Sequence, residues 1–181
     1  MLYYVRGDAT RPGDFPGCNL NLEAPVIIAH VCNDVGLWGA GFSGALSHTY
    51  PVIETLFAGR PLPLGHVQFS NMPIPRHTMV ANMVAQHKVC ETGQRRPPIR
   101  YAALAACMHE VAQTAQNLRA TIHAPRFGAG LAGGDWKTIE AMILEVWVER
   151  GIDVFVYDYE LDYRNRRVQR IVAVDGSDRL H

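Results

Sequence analysis

The amino-acid sequence has no excess of charge of either sign. Over 181 residues, 17 Lys and Arg residues balance 17 Asp and Glu residues. A general electrostatic attraction to nucleic acid or to an anionic membrane is therefore not expected. An anionic small molecule would have to be held by local hydrogen-bond donors. The composition, with 48% hydrophobic and 19% charged residues, is that of a globular protein and not of a disordered one.

Closely spaced cysteines and long apolar runs are also missing. The four cysteines show no Cys-x-x-Cys spacing, so the sequence predicts neither a zinc site nor a disulfide framework. No apolar run approaches the roughly 20 residues of a membrane span. The first residues lack the apolar core of a signal peptide. From these absences we expect a cytoplasmic protein with no metal, no cofactor and no membrane partner.

Apolar segments separated by polar or glycine-rich ones predict an alternation of strands and helices. The predicted strands cover residues 2–5, 25–31, 64–70, 77–85, 121–125 and 152–159. One helix is predicted over residues 98–118, with a buried face of Ile99, Ala103, Ala106, Val111, Ala115 and Leu118. A second helix carries the apolar series Ile139, Met142, Ile143, Val146 and Trp147. The alternation predicts an α/β fold: a three-layer α/β/α sandwich with a mixed, largely parallel sheet.

Two glycine-rich segments each follow a predicted buried strand and precede a helix. The first, "HVCNDVGLWGAGFSGALSHTY", covers residues 30–50, and the second, "RFGAGLAGG", covers residues 126–134. Ligands of open α/β sheets bind beyond the carboxyl ends of the strands, where glycines let backbone N–H groups come close. Two such loops could hold a diphosphate from both sides, although the glycines could also serve turns alone. Neither segment is a Walker A loop, and the second lies too late in the chain for a dinucleotide fingerprint.

Three stretches in this order resemble the macrodomains, a family that binds ADP-ribose and its derivatives. They are "YYVRGDAT", "IAHVCNDVGLWGAGFSGALSHTYP" and "APRFGAGLAGGDWKTIEAMILEVW". The first loop is similar to that of the yeast ADP-ribose-1''-phosphate phosphatase, and the second to that of the terminal ADP-ribose protein glycohydrolase. The resemblance implies a macrodomain over residues 1–159 and a carboxyl-terminal extension over residues 160–181. For the extension, a strand, a lid and an oligomer contact all remain open.

The resemblance implies three subsites for ADP-ribose. Asp8 would accept a hydrogen bond from the adenine amino group, the second loop would wrap the diphosphate, and the first loop would line the distal ribose. Trp38 would be a wall that excludes water. The ligand-binding residues implied in this way are Asp8, Ala9, Asn33, Trp38, Gly39, Ala40, Gly41, Arg126, Phe127, Gly128, Ala129, Gly130, Leu131, Tyr157 and Tyr159.

The catalytic lysine and aspartate of the terminal ADP-ribose glycohydrolase are missing, because they correspond to Gln86 and Ala132 here. What remains is attack by a positioned water on an oxocarbenium-like centre, which needs a base or an orienting group. We predict Gln86, Asn33 and Asp135 as the catalytic residues, with Asp34 nearby. Each has a structural alternative: Asp135 as a helix N-cap, Asn33 as a partner of loop backbone, and Gln86 and Asp34 as solvated polar residues.

The resemblance predicts an enzyme that hydrolyses mono-ADP-ribose from acidic side chains of modified proteins without a metal. The alternatives are a reader that binds ADP-ribose without turnover and an ADP-ribose-1''-phosphate phosphatase. A weaker third alternative is a nucleotide-binding domain unrelated to ADP-ribose. The expected partners are ADP-ribose or a mono-ADP-ribosylated protein, with no direct nucleic-acid binding.

Overall fold

The computed structural model describes residues 1–15, 18, 24–73, 77–89, 97–158 and 172–174. Within these residues a seven-stranded sheet has the order β3-β4-β2-β5-β6-β1-β7. The strands are β1 (Leu2–Arg6), β2 (Val26–Asn33), β3 (Val67–Asn71), β4 (Thr78–Gln86), β5 (Thr121–Pro125), β6 (Val154–Asp158) and β7 (Val172–Val174). The helices are α1 (Phe42–Thr49), α2 (Val52–Phe57), α3 (Tyr101–Leu118) and α4 (Trp136–Ile143), the last continued by a π-helical turn, Leu144–Val148.

The sheet is largely parallel, as predicted. Strands β4, β2, β5, β6 and β1 run in the same direction, while β3 and β7 pair antiparallel at the two edges. The inner strands are apolar runs without alternation, which is the pattern of strands covered on both faces. Because the five parallel strands end at one edge of the sheet, the loops that follow them lie together there.

Successive side chains of β2 point to opposite faces of the sheet, so they pack into two different apolar layers. Ile27 and Ala29 pack in the cluster formed with α3 and α4, whereas Ile28 packs with Leu46 of α1 and Ile53 of α2. Helices therefore cover both faces of the sheet, and the predicted three-layer sandwich is confirmed.

The predicted buried face of α3 is partly wrong. The buried residues are Leu104, Cys107, Met108, Val111, Ala112 and Ala115. Ala106 is exposed and Leu118 is 41% exposed, and the helix begins at Tyr101, not at residue 98. The helix is rich in alanine, which fits either face, so periodicity alone left its orientation ambiguous. Ile99 is buried but precedes the helix, where it forms an isolated bridge with Gln86.

The apolar series of the second helix is confirmed. Ile139, Ile143, Val146 and Trp147 are buried, and the helix widens into a π-helical turn after Ile143. The indole N–H of Trp147 donates a 2.8 Å hydrogen bond to the carbonyl of Met108, which joins this helix to α3.

Part of the carboxyl-terminal segment adds a strand to the sheet. Residues 172–174 form β7, which pairs antiparallel with β1 through Tyr3 and Ala173 among others. Of the three possibilities left open for this segment, a strand is the one found for these residues. None of the helices in the described ranges has the length and apolar character needed to cross a membrane.

Candidate functional site

A cleft of about 430 Å³ lies at the carboxyl ends of β2, β4 and β5. The end of β2 forms its floor, and the two glycine-rich loops form its walls. Among its lining are many of the residues predicted from sequence to bind ligand or act in catalysis: Asn33, Trp38, Ala40, Gly41, Gln86, Arg126, Phe127, Gly128, Gly130 and Leu131. The fold thus brings the two predicted loops to one site, although they are far apart in sequence.

Asn33 organises the first loop. Its Oδ1 atom accepts hydrogen bonds from the backbone N–H groups of Leu37, at 2.9 Å, and Val35, at 3.2 Å. Its Nδ2 atom donates to the Leu37 carbonyl at 2.6 Å. The side chain lines the cleft, but both ends of its amide bind loop backbone. These hydrogen bonds are the ones that the structural alternative expects, and the role of Asn33 towards a ligand stays a prediction.

Close backbone contacts explain glycines of the first loop. Gly36 has φ of 72°, and a Cβ there would lie 2.6 Å from the backbone nitrogen of Arg60. A Cβ on Gly44 would lie 2.8 Å from the carbonyl oxygen of Gly39. Trp38 follows the turn and lines the cleft, with its indole N–H donating to Ser47 Oγ at 2.6 Å. Trp38 also packs on the core, and its predicted contact with a ligand stays a prediction.

The second loop folds back on itself. The N–H of Gly134 donates to the carbonyl of Gly128 at 2.8 Å, and the N–H of Gly133 donates to that of Gly130 at 2.9 Å. The side chain of Leu131 is 61% exposed and reaches towards the first loop, since its Cδ1 lies 3.6 Å from where a Cβ of Gly41 would be. The two loops therefore approach each other across the cleft.

The charged group of Arg126 is directed at protein, not left free for a ligand. Its guanidinium donates to both carboxylate oxygens of Asp158, with Nη2 to Oδ2 at 3.0 Å. It also lies over the rings of Tyr4 and Trp136, 5.1 and 5.0 Å from their centroids. These contacts join the start of the second loop to β1, β6 and α4. Arg126 lines the cleft as predicted, but its side chain secures the loop.

Asp135 does not line the cleft, so its prediction as a catalytic residue requires correction. The side chain is exposed, and its Oδ2 atom accepts hydrogen bonds from the N–H of Thr138 at 2.8 Å and the Thr138 hydroxyl at 2.7 Å. These hydrogen bonds lower the pKa of Asp135. Its carboxylate caps α4, as a residue in this position commonly does, and this was the stated alternative.

The residues predicted to bind adenine lie outside the lining of this cleft. Asp8 Oδ1 accepts from the Thr10 N–H at 2.9 Å, Ala9 is buried, and neither lines the cleft. Tyr157 is only 3% exposed, and its hydroxyl lies 2.8 Å from His123 Nδ1, so its ring belongs to the core. Two predicted loop residues, Gly39 and Ala129, neighbour the lining without being part of it. Tyr159 falls outside the described residues.

Asp34, predicted to lie near the catalytic residues, pairs at the ends of β2 and β4 with His87, and this pairing was missed. His87 Nδ1 lies 2.7 Å from Asp34 Oδ2, and the Lys88 N–H donates to Asp34 Oδ1 at 2.7 Å. Burial raises the pKa of Asp34, but the hydrogen bonds from Lys88 and His87 outweigh it, and the pKa lies below its ordinary value. No local sequence pattern indicates this pair, because it depends on the strand register that aligns Asn33 with Gln86.

His30 forms part of the cleft floor but is not available as a base. It is 2% exposed, and its Nε2 lies 2.6 Å from Asn82 Oδ1. The Asn82 amide in turn donates to Gln68 Oε1 at 3.0 Å. Burial lowers the pKa of His30 to about 4, although the Asn82 hydrogen bond opposes the shift. The ring is therefore neutral near pH 7, and it packs edge-on against Trp38.

No protein-family model matches the chain. A macrodomain protein from Streptomyces coelicolor is 38% identical, with a TM-score of 0.70 over 88% of this chain and 100% of that chain. A protein of unknown function from Bacteroides thetaiotaomicron is 37% identical, with a TM-score of 0.76 over 87% of this chain and 98% of that chain. The fold, the two loops and these similarities place the chain in the macrodomain family, to which it belongs.

Curated relatives are more distant. An uncharacterised 17.5 kDa protein from the tk-vs intergenic region of phage T4 is 30% identical over 74% of this chain and 86% of its own length. Chromodomain-helicase-DNA-binding protein 1-like of Danio rerio is 28% identical over 86% of this chain, which spans 15% of that protein. DarTG of Thermosipho africanus, solved in complex with ADP-ribose, is 13% identical with a TM-score of 0.57 over 81% of this chain and 44% of that chain, and it shares the fold.

Proposed function

We propose that the cleft binds ADP-ribose and that the protein hydrolyses mono-ADP-ribose from acidic side chains of modified proteins. The observation that carries the proposal is the meeting of the two glycine-rich loops over one cleft at the strand ends. In this arrangement the second loop holds the diphosphate with backbone N–H groups, next to the start of α4. The first loop holds the distal ribose between Asn33 and Trp38.

Membership of the macrodomain family supports the choice of ligand. A protein with the same fold, DarTG, has been solved with ADP-ribose. The balanced charge of the chain is compatible with this ligand, because backbone N–H groups can bind a diphosphate by hydrogen bonds, without a surplus of basic side chains. The cleft volume of about 430 Å³ is within the usual range for small-molecule sites.

Hydrolysis would occur at the anomeric carbon of the distal ribose. Water adds its oxygen to this carbon, the bond to the carboxylate oxygen breaks, and the carboxylate leaves with the bonding electrons. The proton released by the water needs an acceptor. Gln86 lines the cleft and can orient the water or the substrate, but an amide cannot take up a proton at neutral pH.

A reader that binds ADP-ribose without turnover is the second candidate. It is favoured by the absence of any Asp or Glu from the cleft lining within the described residues. The exposed position of Asp135 also favours a reader. A phosphatase acting on ADP-ribose-1''-phosphate is the variant that the first loop suggests. Both candidates share the ligand cleft and differ from the hydrolase in the reaction alone.

Two measurements, made on the wild type and on two variants at Gly130, separate these candidates. Calorimetric titration should give binding of ADP-ribose that is at least about tenfold tighter than that of AMP, because the loops contact the diphosphate and distal ribose. A time course with a protein mono-ADP-ribosylated on glutamate should then show release of ADP-ribose.

The blocking variant is Gly130→Glu. Gly130 lines the cleft and a Cβ there meets no atom within 4 Å, so a glutamate fits without distorting the loop, and its charge opposes a diphosphate held by that loop. Gly130→Ala is the matched control and should behave as the wild type. Binding without release identifies a reader or a phosphatase, and ADP-ribose-1''-phosphate then distinguishes the two. Equal affinity for AMP and ADP-ribose would contradict a macrodomain ligand site.

A further inference from the structure

His30 places a polar ring at the floor of the cleft. Its side chain lines the cleft although the residue is only 2% exposed. The ring packs edge-on against Trp38, with the two centroids 5.7 Å apart, and lies 5.5 Å from the ring of Phe42. Both of these aromatic residues also line the cleft. His30 is therefore next to Trp38, beside which the proposed function places the distal ribose.

A chain of hydrogen bonds fixes which nitrogen of His30 carries the proton. The chain begins at the Leu56 carbonyl, which can only accept, so the Gln68 amide nitrogen donates to it at 3.1 Å. The Gln68 side-chain oxygen accepts from the Asn82 amide nitrogen at 3.0 Å. The Asn82 side-chain oxygen is then the atom that lies 2.6 Å from His30 Nε2, so Nε2 carries the proton. In a neutral ring the lone pair is therefore on Nδ1.

Within the described residues, the lone pair of Nδ1 meets no strong donor. Its hydrogen-bonding contact there is Cys32 Sγ, at 3.8 Å. The same sulfur lies 3.6 Å from Nε2, so it is nearly equidistant from the two nitrogens and is not in line with the lone pair. A thiol is also a weak donor. Burial lowers the pKa of His30 to about 4, so the ring is neutral near pH 7 and keeps this lone pair.

A neutral acceptor at the floor selects what can bind above it. Nδ1 without a proton attracts a hydroxyl group and repels the oxygens of a phosphate, which only accept hydrogen bonds. A buried acceptor without a good partner is unfavourable, and a ligand hydroxyl would remove that cost. The side-chain oxygen of Asn33 is less suited to this task, because two backbone N–H groups already donate to it. The part of ADP-ribose that fits this position is a sugar and not the diphosphate.

We propose that His30 is a specificity-determining residue whose Nδ1 accepts a hydrogen bond from a hydroxyl group of the distal ribose. This inference deepens the proposed function, on which it rests, and it applies to a hydrolase and to a reader alike. The hydroxyl donates to Nδ1 while Nε2 donates to Asn82, so the ring connects the sugar to the chain of hydrogen bonds that ends at Leu56. No proton is transferred in this contact, and the ring stays neutral.

The test compares ADP-ribose with ADP, which lacks the distal ribose, by titration calorimetry. In His30→Gln the amide nitrogen can keep the contact with Asn82, while the amide oxygen replaces a ring carbon and not Nδ1. We expect the affinity for ADP-ribose to fall about tenfold and that for ADP to change by less than about threefold. His30→Asn instead places an oxygen near Nδ1 and gives up the contact with Asn82. It should be less stable in denaturant unfolding but keep more of the preference for ADP-ribose.

His123→Gln is the matched control. His123 is buried and its Nδ1 lies 2.8 Å from the Tyr157 hydroxyl, but it does not line the cleft. The same substitution there should leave the ratio of the two affinities unchanged. A second measurement uses the wild type alone. In nitrogen NMR, the Nδ1 resonance of His30 should move in the direction of an accepted hydrogen bond when ADP-ribose is added, and not when ADP is added.

The outcomes separate this inference from the proposed function. If the wild type prefers ADP-ribose to AMP but His30→Gln weakens ADP-ribose and ADP equally, His30 is structural and the inference is overturned while the proposed ligand stands. Unchanged affinity in His30→Gln, or equal affinity of the wild type for ADP-ribose and ADP, overturns it too. If His30→Gln does not fold, the NMR comparison decides, and an unmoved Nδ1 resonance overturns the inference. If the wild type does not distinguish ADP-ribose from AMP, the proposed ligand fails and the role of His30 fails with it.

Discussion

The N–H of Gly134 donates a hydrogen bond of 2.8 Å to the carbonyl of Gly128, and a Cβ on Gly134 would lie 2.7 Å from that same oxygen. The second loop is therefore closed by a contact that leaves no space for a side chain at its end. Since the oxygen belongs to backbone, the contact cannot be relieved by moving a side chain. The shape of the loop depends on this glycine.

Replacing Gly134 by Ala should open the second loop. We expect the affinity for ADP-ribose to fall at least about tenfold and the free energy of unfolding to fall by about 1–3 kcal/mol, as for overpacked sites. Calorimetric titration and denaturant unfolding measure the two effects. Gly130→Ala, where a Cβ meets no atom within 4 Å, should change neither. Wild-type affinity in Gly134→Ala would show that the loop does not need this closure to bind.

The free energy of unfolding should depend more on the charge than on the size of the side chain at position 33. In Asn33→Asp a carboxylate oxygen would face the Leu37 carbonyl that Nδ2 now contacts at 2.6 Å, and two oxygens repel each other there. We expect Asn33→Ala to lower the free energy of unfolding by about 1–3 kcal/mol and Asn33→Asp to lower it further. Denaturant unfolding tests the order, with the exposed Asn71→Asp as the control. A more stable Asp variant than Ala variant would contradict the assignment of the amide.

Parts of this molecule were predictable because the chemistry is local. Apolar runs without alternation predicted strands covered on both faces, and glycines after two of them predicted the loops that form the cleft. The large apolar side chains from Ile139 to Trp147 can be buried on only one face of a helix, so their spacing predicted the helix and its buried face. Alanine can lie on either face, and in α3 the exposed Ala106 was wrongly assigned to the buried one.

Other features depend on which distant residues the fold brings together. Asp135 had two compatible roles in the sequence, and only the position of its carboxylate, 2.8 Å from the Thr138 N–H, identifies it as a cap. Tyr157 lies at the end of a strand, where a ligand contact was reasonable, but its hydroxyl meets His123 in the core. The pairing of Asp34 with His87 follows from the alignment of two strands that no local pattern reveals.

Replacing Asp158 tests whether Arg126 secures the second loop or binds the ligand, because the two roles predict opposite changes in ADP-ribose affinity. If Arg126 secures the second loop through Asp158, then Asp158→Asn and Arg126→Lys should each weaken ADP-ribose binding by about three- to tenfold. If the guanidinium instead turned to the diphosphate, removal of the competing carboxylate in Asp158→Asn would strengthen binding. We expect weaker binding, measured by titration calorimetry. Asp153→Asn is the matched control, since Asp153 precedes the other end of β6 and pairs with the amino terminus.

The capping role of Asp135 predicts a loss of stability without a loss of function. Asp135→Ala removes the acceptor for the Thr138 N–H, and the loss of this cap should lower the free energy of unfolding. Asp135→Ser keeps an acceptor and should recover most of that difference in denaturant unfolding. ADP-ribose affinity and release should remain as in the wild type in both variants. A loss of turnover with unchanged affinity would restore Asp135 as a catalytic residue.

Two buried histidines should make the protein less stable in mild acid. Burial lowers the pKa of His123 to about 3 and that of His30 to about 4, whereas an unfolded chain has a histidine pKa of about 6.5. Between these values the unfolded state binds more protons than the folded state, so stability is lost as the pH falls below about 6.5. Each histidine contributes a slope of up to about 1.4 kcal/mol per pH unit.

Denaturant unfolding between pH 7.5 and about 4.5 measures how the free energy of unfolding changes with pH. Carboxylates with lowered pKa values contribute to this change only below that range. His123→Gln should be less stable at every pH, because the contacts to Thr121 and Tyr157 are lost, but its slope should be roughly half that of the wild type. The exposed His109→Gln should keep the full slope. An unchanged slope in His123→Gln would mean that His123 is already protonated in the folded protein, contrary to its burial between Phe155 and Tyr157.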